Sequence, residues 1–164
     1  MVTTPTGRIS LPLQYLRLTL ADSATWRTRI GVSTQAASLA KIHYIRVAGA
    51  SVTSPIAVVE WVEGPKFTGA TDSITSAGYD QNGMMRLIIQ ETVSGTGEAD
   101  QFNNFANWIG ATIADMLVLS RQAGYLNIID LDTQNGPQRP SEEEQQTLGD
   151  TYQQIMHITY MGWS

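Results

Sequence analysis

Residues 100–120 read DQFNNFANWIGATIADMLVLS. Phe102, Phe105, Ile109, Ile113, Met116, Leu117 and Ser120 recur three and four apart, so the stretch predicts one long helix with a single continuous face. Asp100 is its expected N-cap and Gly124 its expected stop. A helix with one apolar face needs a flat apolar partner, and the flanking sequence supplies one. Met84–Val93 alternates with a period of two, and Tyr125–Asp132 and Thr151–Trp163 read as two further strands. A long helix lying on a sheet is therefore the centre of the fold.

Working toward the N-terminus, residues 1–9 form a Thr-, Pro- and Gly-rich leader without periodicity. Ser10 and Pro12 then mark a helix start, and Leu13, Leu16 and Leu20, broadened by Tyr15 and Leu18, give it an apolar face. Asp22 or Ser23 recaps a short helix carrying Trp26 and Ile30, which Gly31 ends in the left-handed region. Thr34–Lys41 predicts a brief Ala-rich helix. From Ile42 the period changes to two, and Ile42–Val47 and Ile56–Glu63 predict a hairpin across the turn-prone stretch Ala48–Pro55. Gly64–Gly83, with four Gly, one Pro and many Ser, Thr and Asp, predicts an extended polar arm with Lys66 and Phe67 as its anchors. Ser141 with Glu144 forms a capping box for a short acidic helix stopped at Gly149. The expected architecture is one small α+β domain over residues 1–164. Its sheet is mixed and mainly antiparallel, packed against the long helix and the N-terminal helix.

Composition narrows the function. Of 164 residues, 42% are hydrophobic, too many for a disordered chain, and only 15% are charged, against roughly 25% in ordinary soluble domains, so partly covered faces are expected. The absence of Cys excludes disulfides, thiolate zinc sites and cysteine nucleophiles. No apolar run reaches the roughly 18–20 residues that span a bilayer, and Met1–Ser10 holds one Arg and no apolar stretch, so neither a membrane span nor a secretory signal is expected. A cytosolic site of synthesis follows as an expectation.

The net charge of −5 hides a division. Residues 1–59 carry six cations against Asp22 alone, a net +5, and residues 60–164 carry four cations against 14 acids, a net −10. One reading is local neutralisation as the halves fold together. The sharper reading is a head-to-tail contact between subunits, which requires two different complementary patches on one molecule. Arg27 and Arg29, beside Trp26, are the preferred positive patch, and Glu142, Glu143 and Glu144 the preferred negative one. The acidic balance disfavours nucleic-acid binding.

Catalytic patterns fail on chemistry. Gly95 and Gly97 precede a helix as in a dinucleotide turn, but the third glycine position is Asp100, which would repel a pyrophosphate, and no Walker lysine is present. Asp130, Asp132, Asn135 and Gly136 miss the calcium-loop spacing, and Ser141 stands where a bidentate Glu belongs. His43 and His157 lie in separate strands with no second ligand at a metal-binding offset. No G-x-S-x-G elbow exists, and the four Trp residues are too scattered for a base-stacking platform. No catalytic, cofactor-binding or metal-binding residue is expected, and the chain is not expected to be an enzyme.

The order of these elements, with the phrase Leu39–Tyr44 and the closing phrase Ile158–Trp163, resembles the tail terminator (tail completion) proteins of long-tailed bacteriophages. Met161 and Gly162, between Tyr160 and Trp163, depart from the closing pattern. The resemblance implies a homohexameric ring in the virion, at the neck end of the tail. That ring caps the tail-tube protein, with the sheath as an optional neighbour, and meets a head-proximal connector. DNA would pass through it without sequence-specific contact, and no membrane or cofactor is implied. A different neck connector, or a small α/β enzyme or ligand-binding domain, is the alternative.

Overall fold

The computed structural model describes residues 10–44, 54–69, 79–92, 97–139 and 151–163. Three short or medium helices open the chain: α1 (Leu11–Asp22), α2 (Ala24–Ile30) and α3 (Gln35–Leu39). Ser10 stands at the α1 N-cap without a capping side-chain bond, and Pro12 fills the first turn. Ser23 caps α2, its hydroxyl accepting from the Trp26 amide at 3.2 Å, and Gly31 ends that helix at φ +70°. Thr34 caps α3 in the same way.

The strands β1 (Ile42–His43), β2 (Ile56–Gly69), β3 (Tyr79–Thr92), β4 (Leu126–Asp132) and β5 (Thr151–Trp163) form one sheet in the order β1-β2-β3-β5-β4. Every neighbouring pair is antiparallel except β1–β2. The fold is α+β with a mixed, mainly antiparallel sheet, as expected, and four helices among the described residues. The central β3–β5 ladder runs without interruption from Asn82–Met161 to Thr92–Thr151. The pairs β2–β3 and β4–β5 each contain two register shifts.

Along β2, β3 and β5 one set of alternate residues, Ala57, Val59, Met85, Leu87, Ile89, Met156, Ile158 and Tyr160, faces the helices and is buried. The helix α4 (Glu98–Leu119) lays Phe105, Ile109, Thr112 and Met116 on this layer, and α1 adds Leu16 and Leu20. Each large apolar side chain so buried contributes about 1.5–3 kcal/mol. On the opposite face Val58 and Ile88 are also buried, and Gln90 donates to Gln153 at 3.2 Å across β3–β5. Among the described residues, no helix is long and apolar enough to cross a membrane.

Several local expectations change. Ile42–His43 and β2 are parallel, with Ile42 beside Ala57 and His43 beside Val58, so they do not form a hairpin. Residues 44–55 are long enough for the crossover that parallel strands require. The segment Gly64–Gly83 is strand at both ends, because β2 continues to Gly69 and β3 begins at Tyr79; residues 70–78 lie outside the described residues. Helix α4 starts at Glu98 with Gly97, φ +107°, at its N-cap, so Asp100 lies inside its first turn. It ends at Leu119, and Gly124 takes φ +90° in the turn that follows. The leader 1–9 and the acidic helix 141–149 lie outside the described residues.

Candidate interaction surfaces

The two arginines chosen for a positive patch are engaged within the chain. Arg27 donates from Nε to the Ala21 carbonyl at 2.8 Å, and its terminal nitrogen reaches the Asp22 carbonyl and the Asp22 carboxylate. The other Asp22 oxygen accepts from Gln35 Nε2 at 2.7 Å and from the Tyr125 hydroxyl at 2.9 Å. One carboxylate thus ties together α1, α2, α3 and the approach to β4. Burial, together with the bond to Asp22 and its charge, raises the Tyr125 pKa. Sequence reasoning passed over this role, although Asp22 is the sole acid among the first 59 residues.

Arg29 forms a bidentate pair with Glu91, both contacts at 2.8 Å, and the bond to Glu91 raises its pKa further. Its guanidinium also lies 5.3 Å from the Trp108 ring centroid, and Trp108 stacks on Trp26 at 5.8 Å. Both arginines are therefore neutralised inside the protomer, Arg27 within its own half of the chain and Arg29 by an acid of the other half. Glu142, Glu143 and Glu144 lie outside the described residues.

The two anchors assigned to the arm lie on the β2–β3 ribbon. Lys66 is exposed and pairs with Glu63 at 3.4 Å, while Phe67 pairs through its backbone with Gln81. Beyond the last β3–β5 pair, Asn82–Met161, three further β2–β3 pairs continue to Gly69–Tyr79. At the base of this extension Trp61 and Tyr160 cover Gly83. The Tyr160 hydroxyl is buried without a partner, and burial raises its pKa.

Among the described residues neither histidine belongs to a group that could hold a metal ion. His43 Nε2 is buried without a hydrogen-bond partner among the described residues. Burial lowers the His43 pKa, and the charges of Arg17 and Lys41 lower it further. His157 stands between Arg86 on β3 and Asp132 on β4, in a cross-strand row that continues to Glu60, the ion-pair partner of Arg86. Among the described residues no three His, Asp or Glu side chains could hold a metal ion. An open cleft of about 480 Å³ is lined by Ala99, Phe102, Asn103, Arg139 and Tyr152. Its walls include the edge-to-face pair Phe102–Tyr152 and the Arg139 guanidinium 5.8 Å from the Tyr152 ring, which offer apolar and cationic contact. No protein-family model and no curated protein matches the chain.

Proposed function

We propose that the protein is a structural component of a bacteriophage virion, a homo-oligomeric ring that caps the tail tube. It stops tube growth and presents the surface to which the head is joined. The observation that supports this most is the order of elements, in which short N-terminal helices, a long β-ribbon, one long helix and a closing strand follow one another along a single sheet. That order carries the resemblance to tail terminators. The role needs no reacting group. A ring whose one side covers the last tube subunits, and whose other side differs, ends polymerisation by occlusion alone. The β2–β3 ribbon, extending past its last pairing with β5, is suited to reach a neighbour.

A ligand-binding role has one feature in its favour, the aromatic cleft at the start of α4. Electron microscopy of tails assembled with and without this chain separates the two roles. The capping role predicts uniform tails joined to heads when the chain is present, and overlong or unjoined tubes when it is missing. Normal joined tails in its absence would contradict it.

A further inference from the structure

Among the described residues the sheet ends in β1 on one side and β4 on the other, and the two edges carry opposite charge. At the β1 edge stand Lys41, His43 and Tyr44, with Arg17 reaching in from α1. The Arg17 guanidinium lies 4.5 Å from the Tyr44 ring centroid and donates to the Leu39 carbonyl at 2.8 Å, and neither contact cancels its charge. The positive field is felt at His43, whose protonation Arg17 and Lys41 both oppose. At the β4 edge Asp130 and Asp132 are exposed. Asp132 accepts from the Gln134 amide at 2.9 Å and from its side chain at 2.7 Å, both neutral donors. The ion pairs among the described residues, Arg27–Asp22, Arg29–Glu91, Arg86–Glu60 and Lys66–Glu63, involve neither aspartate.

Each edge also shows one large apolar side chain to solvent: Tyr44 is 40% exposed and Ile129, the extra residue of a register shift, 55%. The patches lie at similar heights on the sheet. His43 is level with Val58, Ile88 and Ile155, while Asp132 is level with His157 and Asp130 with Thr159. That is an offset of two to four residues, about 7–14 Å along the strands. The register shifts that interrupt β4 make its edge a poor template for regular strand addition, so contact there falls to side chains.

We propose that copies of this chain join head to tail across opposite sheet edges, the Arg17–Lys41–His43–Tyr44 edge of one copy meeting the Ile129–Asp130–Asp132 edge of the next. Because the two patches lie at opposite edges of the sheet, one twofold contact cannot engage both, whereas repetition of one rotation can close a ring. The proposal rests on the ring reading above and assigns its contact surfaces.

Charge reversal tests it by sedimentation velocity at low salt. Lys41→Glu places acid against acid, Asp130→Lys places cation against cation, and each variant alone should need about tenfold or more protein to assemble. An equimolar mixture of the two restores opposite charge at every junction of an alternating assembly and should recover the wild-type assembly concentration. Salt near 0.5 M should narrow the difference. Wild type that stays monomeric throughout would overturn both the ring reading and this assignment. Wild type that assembles while either single variant assembles equally well, or while the mixture fails to recover, would overturn the edge assignment and leave the ring reading standing.

Discussion

Trp61 and Tyr160 meet over Gly83, their ring centroids 6.1 Å apart, from the two strands that flank β3. A Cβ at Gly83 would lie 3.1 Å from the Tyr160 ring, 3.3 Å from Trp61 and 3.4 Å from the Pro65 backbone. The glycine lets both rings close on the strand at the point where the β2–β3 ribbon extends beyond β5. Gly83→Val should therefore cost about 1–3 kcal/mol in denaturant unfolding. It should also speed amide exchange at residues 64–69 and 79–83. Unchanged stability with unchanged exchange would show that the rings do not pin the ribbon.

Arg27→Ala removes the donor that bridges the end of α1 to α2, leaving the Ala21 carbonyl and the Asp22 carboxylate short of a partner. Stability should fall by about 1–2 kcal/mol. Denaturant melts of Arg27→Ala, Tyr125→Phe and the double variant should give non-additive losses, since both partners share Asp22.

Much of this arrangement was legible from local pattern, and the remainder depended on distant pairing. The spacing of Leu16 and Leu20, and of Phe105, Ile109 and Met116, announces the buried helix faces because a 3.6-residue period survives any tertiary context. Gly31 announces its left-handed cap for a similarly local reason. By contrast, two strand residues, Ile42 and His43, carry no information about direction, so the parallel pairing with β2 was hidden. The ribbon beyond Glu63 was hidden because Gly64 and Pro65 interrupt alternation at a register shift, where β2 has no second neighbour beyond Val58 among the described strands and can accommodate Pro. The Arg29–Glu91 pair spans 62 residues, and no spacing rule connects its partners. The imbalance between the halves is visible in the sequence, whereas only the strand order puts Arg17 at one edge and Asp130 and Asp132 at the other.

Asp115 should make folding acid-sensitive. Burial alone would raise its pKa, but the Thr25 amide at 2.9 Å, the Ser23 hydroxyl at 2.9 Å and the Ala24 amide outweigh that effect and lower it. The unfolded carboxyl titrates near 3.9, so this stabilisation is complete above that pH and is lost as pH falls through the lower folded value. Melting temperatures of wild type between about pH 5 and pH 2 should fall more steeply than those of Asp115→Asn. Equal slopes would remove Asp115 from the acid transition.

His43 works in the same direction at milder acidity. Burial first, then the charges of Arg17 and Lys41, hold its folded pKa below the ordinary value of about 6.5, so above that pH the neutral ring carries no charging penalty, and folding is increasingly penalised as pH falls toward the folded value. Two-dimensional NMR titration should find the His43 ring resonances moving below pH 6.5, and Asn or Gln at this position should flatten that part of the stability curve. A His43 titration at or above 6.5 would contradict the combined effect of burial and the neighbouring Arg17 and Lys41 charges.

The proposed capping ring has a defined mass, and weighing the purified particle asks for it. Native mass measurement across a range of protein concentrations and at low salt should find one closed species near six subunits, with no open series of larger sizes. A monomer at every concentration, or an unbounded ladder of oligomers, would contradict it.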